Sequence, residues 1–167
     1  MPFLKTWISF LMTFPLGHHS LLCKNESFIL TIKYLLDTNI CIYLMDNVYP
    51  NLRRAVYRFP AEEFALSSVV VYELFYGVEK SQYQERNRLK IERFLEQFRV
   101  ECFDLQASKV AAILAVELES KGMPIGAYDV FIGAHALSLG ATLVTHNTKE
   151  FLRIPALKIE DWVNYAS

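Results

Sequence analysis

Four acidic residues in this 167-residue chain stand where strand-like and helical segments meet: Asp37, Glu73, Asp129 and Glu150. Carboxylates that gather at one place repel each other and take up protons unless a cation neutralises them. A ligand set made only of oxygen atoms selects hard divalent ions such as Mg²⁺ or Mn²⁺. Such a site suits hydrolysis of a phosphodiester bond by an activated water, without a protein nucleophile.

Each acid also has a simpler structural interpretation, and the residues alone leave both open. Asp37 follows the apolar run YLL and precedes a second apolar run, so it suits the N-cap of a helix. Glu73 and Asp129 lie early in apolar helical segments, where the helix dipole favours a carboxylate. Glu150, in THNTKEF, is weak evidence when taken alone. Only the combination of the four favours a cation site.

The segments that carry these acids alternate between strand-like runs and helical patterns. Strands are predicted at 33–36, 64–68, 100–105, 141–145 and 157–161. Helices are predicted at 38–46, 50–58, 68–80, 84–98, 107–121 and 127–139. Strands separated by helices need crossover connections, which favour a parallel sheet covered on both faces. The sequence therefore predicts one three-layer α/β/α domain over 33–167, with a central parallel sheet of about five strands.

Ligands of open parallel sheets bind beyond the carboxyl ends of the strands. Asp37 stands at the end of the first predicted strand, and residues 145–147 follow the fourth. His146 lies in this second turn and is a candidate for substrate contact. His135 lies six residues after Asp129 on a predicted helix and so points away from it. We therefore expect the chemistry at this edge of the sheet.

The composition describes a folded protein and excludes disorder as an explanation. The chain is 53% hydrophobic and 21% charged, and its net charge of −1 gives no overall electrostatic footprint for nucleic acid. Neither nucleotide-binding glycine pattern, G-x-x-x-x-G-K-[ST] or G-x-G-x-x-G, is present. Positive charge is concentrated between 80 and 99, at Lys80, Arg86, Arg88, Lys90, Arg93 and Arg99. This cluster is either a solvated helix face or a contact for phosphate groups.

Residues 1–32 differ in kind from the rest of the chain. They contain the apolar stretch WISFLMTF, which Pro15 follows and which is too short to span a membrane. We expect this segment to be an atypical N-terminal extension, with two explanations open: a start codon assigned too far upstream of a true start near Ile32, or a segment for export. Intact-mass measurement of the natively expressed protein decides this, because a mass that includes Met1 contradicts the first explanation.

Four motifs in order, YLLDTNICIYL, SSVVVYELFYGVEKS, GAYDVFIGAHAL and LVTHNTKEF, resemble those of the PIN-domain ribonucleases. More narrowly, the chain resembles the VapC toxins of bacterial toxin–antitoxin modules. By position, the resemblance implies that Asp37, Glu73, Asp129 and Glu150 are the catalytic acids, with Glu150 in the most variable position. Pocket residues are then Asn39, Thr145 and Asn147, and Asp37 and Asp129 hold the metal.

The resemblance also implies an activity and partners. Members of the family are Mg²⁺- or Mn²⁺-dependent endoribonucleases that cut structured RNA, often tRNA. They form homodimers, and a cognate VapB-type antitoxin holds each one inactive. A toxin that acts on cellular RNA is expected in the cytoplasm, without a membrane partner.

Two other functions remain possible from the residues. A non-catalytic PIN-like scaffold that binds RNA or protein is one, although such scaffolds usually lose acids that this chain keeps. A phosphotransfer domain on a similar sheet is the other. A phosphatase of the haloacid dehalogenase type needs DxD after the first strand, and Asn39 stands at its second position.

Overall fold

The computed structural model describes residues 32–164, so the expected extension lies outside the described residues except for Ile32. The strands are β1 (Tyr34–Leu36), β2 (Phe64–Ser67), β3 (Arg99–Glu101), β4 (Thr142–Val144) and β5 (Ile159–Glu160). The helices are α1 (Thr38–Asp46), α2 (Pro50–Val56), α3 (Ser68–Glu79), α4 (Gln84–Leu95), α5 (Leu105–Ser120), α6 (Ala127–Leu139) and α7 (Thr148–Phe151). A single 3₁₀ turn, Ala61–Glu63, precedes β2.

The five strands form one sheet in the order β3-β2-β1-β4-β5, and every adjacent pair is parallel. From β1 the chain moves outward to β2 and β3, then returns across the sheet to β4 on the other side of β1. For this strand order, the right-handed rule for parallel crossovers assigns α1–α4 to one face and α5–α7 to the other. The structure confirms the predicted three-layer α/β/α domain. It also creates a switch point between β1 and β4, where open sheets bind ligands.

The buried strands explain why the sheet forms where the apolar runs predict it. Every residue of β1 and β2 is buried. Four aromatic rings pack together around the first residues of these strands, with Tyr34 5.1 Å from Phe59, 5.4 Å from Phe64 and 4.9 Å from Trp162 between ring centroids. Aromatic pairs at these separations stabilise a core beyond their buried area. This aromatic packing therefore fixes the amino ends of β1 and β2.

One predicted strand is several residues too long, and one helix was not predicted. The third strand ends at Glu101 and not at 105, because Asp104 caps α5 and accepts a hydrogen bond from the Ala107 N–H at 2.9 Å. The four-residue helix α7 was missed because it is too short to show helical periodicity. Within the described range, no helix is both long and apolar enough to cross a membrane.

Truncation of a buried side chain next to the central strand tests this packing. Leu143 of β4 is fully buried, so Leu143→Ala should lower the free energy of unfolding by about 2–5 kcal/mol in urea titrations. Leu152, which is 72% exposed after α7, is the matched control, and Leu152→Ala should change it by less than about 0.5 kcal/mol. Equal losses in the two variants contradict the described core.

Candidate active site

Asp37 lies at the switch point and links β1, α1 and β4. Its backbone N–H donates to the carbonyl of Val144 at 3.0 Å. One carboxylate oxygen accepts from the Thr38 N–H at 2.7 Å, and the other accepts from the Thr145 hydroxyl at 2.7 Å. The side chain is only 4% exposed. Asp37 is therefore both the N-cap of α1 and a buried carboxylate at the ligand-binding edge, so its two interpretations are compatible.

The electrostatic environment of Asp37 is unfavourable for its negative charge. Burial raises the pKa of Asp37 from 3.8 to about 6, although the hydrogen bonds from Thr145 and Thr38 oppose this. The negative charges of Asp129 and Glu73 contribute to the same rise. Asp37 thus interacts electrostatically with Glu73 and Asp129, although the three acids come from distant parts of the chain.

Glu73 is carried by α3, which begins directly after β2. The hydroxyl of Ser67 caps this helix by accepting from the Val69 N–H at 3.1 Å. The Thr38 hydroxyl donates a short hydrogen bond to the Glu73 carboxylate and so joins α1 to α3. Because β1 and β2 are neighbours, helices that start at their carboxyl ends bring Asp37 and Glu73 to the same edge.

Asp129 lies in the first turn of α6, in the position predicted for it. Burial raises its pKa, and the charges of Glu73 and Glu150 raise it further. Its carboxylate folds back over the backbone of Gly126, so that a methyl group at Gly126 would lie 2.9 Å from Asp129 Oδ2. The missing side chain of Gly126 therefore makes room for the carboxylate.

Glu150 lies on α7 and has a cationic partner. Its carboxylate forms an ion pair with Arg153 at 3.2 Å. Arg153 also donates to the backbone carbonyl of Pro124 at 2.9 Å, just before α6. This arrangement ties α7 to the loop that leads to Asp129.

The three predicted pocket residues all lie near this edge but contribute in different ways. Thr145 is buried and donates to Asp37, as described above. Asn147 donates through its backbone N–H to the Thr145 hydroxyl at 2.9 Å. The Asn39 side-chain oxygen accepts from the His146 N–H at 3.4 Å and so joins α1 to the turn after β4. Asn39 and Asn147 thus stabilise the turns around Asp37.

Both histidines within residues 32–164 have structural partners. His135 is buried and its Nδ1 lies 2.8 Å from the Ser67 hydroxyl. His146 lies 3.1 Å from Asp161, beside the ring of Tyr43. The structure thus places His135 in the packing of α6 against β2, and His146 in contact with the segment after β5.

The basic cluster predicted between 80 and 99 is partly neutralised. Arg88 pairs with Glu79, Lys90 with Asp46 and Arg99 with Glu101. Arg86 and Lys80 instead lie over tyrosine rings, at 4.6 Å from Tyr83 and 4.5 Å from Tyr76. These ion pairs weaken the interpretation of the whole cluster as a phosphate-binding face.

The donor set fits a hard divalent cation that retains water molecules. Between residues 32 and 164, no three Asp, Glu, His or Cys side chains converge closely enough to hold a metal ion by themselves. Mg²⁺ does not require such a cage, because it usually binds through one or two carboxylates and keeps several waters. The mutual repulsion at Asp37 is the kind of penalty that a cation removes.

Three residues that support the site were not predicted: Thr38, Gly126 and Arg153. Thr38 was visible in the DTN triplet, but the sequence does not show that its hydroxyl faces Glu73. Gly126 and Arg153 gave no signal, because their roles depend on how α6 and α7 meet. Each is defined by a tertiary contact and not by a local pattern.

Comparison with known proteins agrees with this architecture. A family model described as PIN domain matches residues 34–157. The tRNA(fMet)-specific endonuclease VapC of Salmonella typhimurium is 40% identical over 131 residues, which cover 78% of this chain and 98% of that protein. Ribonuclease VapC2 of Rickettsia felis is 42% identical over 133 residues, which cover 77% and 97%.

A solved structure shows the same likeness in three dimensions. It is VapBC2 from Rickettsia felis, bound to a DNA fragment from the promoter. The chain matches it with a TM-score of 0.73 and 40% identity, over 77% of this chain and 98% of that one. The matched family model and these relatives show that this chain belongs to the PIN-domain family and, within it, to the VapC proteins.

Proposed function

We propose that this protein is an endoribonuclease toxin that hydrolyses phosphodiester bonds in structured cellular RNA and that an antitoxin neutralises. One observation carries the proposal: at the switch point of a parallel sheet, the buried Asp37 feels the charges of Asp129 and Glu73, and Asp129 feels those of Glu73 and Glu150, although these acids come from distant segments. The relative from Salmonella typhimurium is named for cleavage of tRNA(fMet), which supports tRNA as the substrate class. The reaction takes place in the cytoplasm, where this RNA is found.

The environments of the four acids indicate different roles in the proposed reaction. Asp37 and Asp129 are the carboxylates whose charge is least favourable, so they are the residues that would hold a divalent cation. Thr38 orients Glu73 and Arg153 orients Glu150, so both are positioned to accept hydrogen bonds from water. A bound Mg²⁺ or Mn²⁺ supplies the positive charge that activates water and stabilises the reacting phosphate.

The proposed partners are a VapB-type antitoxin and a second copy of the chain. The related Rickettsia felis structure is a VapBC2 complex, which supports the antitoxin. The dimer is supported by the exposed apolar side chains of α5, where Ile113 is 70% and Val116 is 66% exposed one turn apart. Exposed apolar side chains that group together mark protein interfaces.

The first prediction concerns the two proposed metal ligands. Asp37→Asn and Asp129→Asn should each lower the rate of RNA cleavage by about 100-fold or more, because each removes a charge on which the site depends. Glu119→Gln, an exposed substitution on α5, is the control and should cleave at the wild-type rate. Circular dichroism should show that all three variants are folded. Full activity in either Asn variant refutes the assignment.

The second prediction concerns the cation and follows from the pKa of Asp37. A raised pKa means that the folded state holds this proton more tightly, so the metal-free protein loses stability as pH rises from about 4 to about 6. The change from 3.8 to about 6 corresponds to at most about 3 kcal/mol. Asp37→Asn should remove this pH dependence in unfolding titrations with a chelator present.

Adding Mg²⁺ completes this test. At pH 7.5 the cation should stabilise the wild type more than Asp37→Asn and should restore cleavage that the chelator stopped. Cleavage that persists in the chelator, or equal stabilisation of both proteins, contradicts a cation at Asp37.

The third prediction concerns the space that Gly126 leaves for Asp129. Gly126→Ala forces the Asp129 carboxylate to move, at little cost in stability, because Oδ2 is the end of a side chain. We expect cleavage to fall on the order of 10- to 100-fold, since small misplacements of reacting groups are costly. Gly77→Ala on α3, where a methyl group meets nothing within 4 Å, is the control and should retain activity. Equal activity in both variants contradicts this role for Gly126.

A further inference from the structure

Three tyrosine rings form an exposed group beside the acidic site, called here the tyrosine cluster: Tyr72, Tyr76 and Tyr128. Tyr72 and Tyr76 lie one turn apart on α3, and their rings stack with centroids 5.9 Å apart and planes 22° apart. Tyr128, at the start of α6, lies 5.4 Å from Tyr72 and donates from its hydroxyl to the Tyr72 hydroxyl at 3.1 Å. Contacts between two separate helices thus fix the cluster in one arrangement.

The cluster adjoins the residues proposed for catalysis. Tyr72 precedes Glu73 in the chain, and Tyr128 precedes Asp129. The hydrogen bond with Tyr72 raises the pKa of Tyr128, and the charge of Glu73 contributes to the same shift. An RNA whose phosphate reaches the acids therefore passes close to these rings.

Core packing does not explain the cluster, because its rings remain open to solvent. Tyr72 and Tyr76 are each 48% exposed, and Tyr128 is 42% exposed. Grouped exposed rings on a folded protein mark a binding surface more often than isolated ones do. The exposed Ile113 and Val116 of α5 belong to a separate, aliphatic surface, which suits a protein partner. The tyrosine cluster, in contrast, combines flat ring faces with hydroxyl groups.

Charge near the cluster also favours a nucleic acid. The ammonium of Lys80, the residue that follows α3, lies 4.5 Å from the centroid of the Tyr76 ring. It provides positive charge for a phosphate on the side of the cluster away from the acids. A ring surface with a cation beside it is the combination that single-stranded RNA uses, through base stacking and phosphate contact.

We infer that the tyrosine cluster is a stacking platform for an unpaired nucleobase next to the scissile phosphate, with Lys80 contacting a neighbouring phosphate. The inference rests on the proposed ribonuclease function and adds the way in which the substrate is held. A base within a duplex already stacks on its neighbours and presents no free face. The platform therefore selects loops and single strands within structured RNA.

The test uses single-turnover cleavage of a hairpin RNA by the full chain with Mg²⁺. Tyr72→Ala and Tyr76→Ala should each weaken the apparent binding of the hairpin about 10-fold or more, as expected for loss of base stacking. Tyr72→Phe and Tyr76→Phe keep the ring face and should bind nearly as the wild type does. Tyr57→Ala, which removes a ring that is 65% exposed at the end of α2, is the control and should bind normally.

Abasic hairpins distinguish stacking from a general structural effect. If the platform holds one base, removing that base from the loop should weaken wild-type binding as much as Tyr72→Ala does. Tyr72→Ala should then bind this abasic RNA only slightly more weakly than it binds the intact hairpin. Equal penalties for Tyr72→Ala on every abasic hairpin contradict the platform, as does wild-type binding by both Ala variants.

Mass measurement by light scattering tests the competing explanation, in which the tyrosine cluster binds a second copy of the chain. The Ala variants should keep the wild-type mass, and a loss of binding that accompanies a fall in mass overturns the inference in favour of an interface. If the wild type cleaves RNA in a manner that depends on Asp37 but the tyrosine variants are normal, only the platform is wrong. If the wild type cleaves no RNA, the proposed function and the platform both fail.

Discussion

Asp37 is a buried carboxylate at the point where the strand order of the sheet reverses, and the residues around it are arranged about its charge. Asp37 accepts hydrogen bonds from Thr38 and Thr145, and these bonds only partly offset the loss of water around its charge. Two further acids lie close enough to make that charge less favourable still. Without a cation this arrangement costs stability at neutral pH, and the proposed metal ion would offset that cost.

Contacts with neighbouring residues restrain the acids at separate positions around the site. Thr38 restrains Glu73 from α1, and Arg153 restrains Glu150 while it anchors itself on Pro124. Gly126 leaves room for Asp129 to turn back over its own helix start. The second layer of contacts therefore fixes the directions in which four negative charges point. These contacts distinguish the proposed active site from four acids that merely cap helices.

Much of this architecture follows from local patterns in the chain. Apolar runs bounded by polar turns locate β1, β2 and β4, and helical spacing locates the helices on either side of them. The parallel order and the edge that carries Asp37 follow from the alternation of these elements. The end of β3 could not be predicted in this way, because Asp104 competes for the same residues as a helix cap. Side-chain directions at Thr38 and Arg153 depend on tertiary packing and were likewise out of reach.

The order of the strands also has a consequence for the protein while it is being made. Thr145 donates to Asp37 across 108 positions of the chain, and β1 pairs with β4 only after most of the domain has been synthesised. A growing chain that carries Asp37 and Glu73 but not yet β4 lacks one wall of the pocket. Chains still on the ribosome therefore lack a complete pocket, and the proposed ribonuclease activity requires a chain whose translation is almost finished.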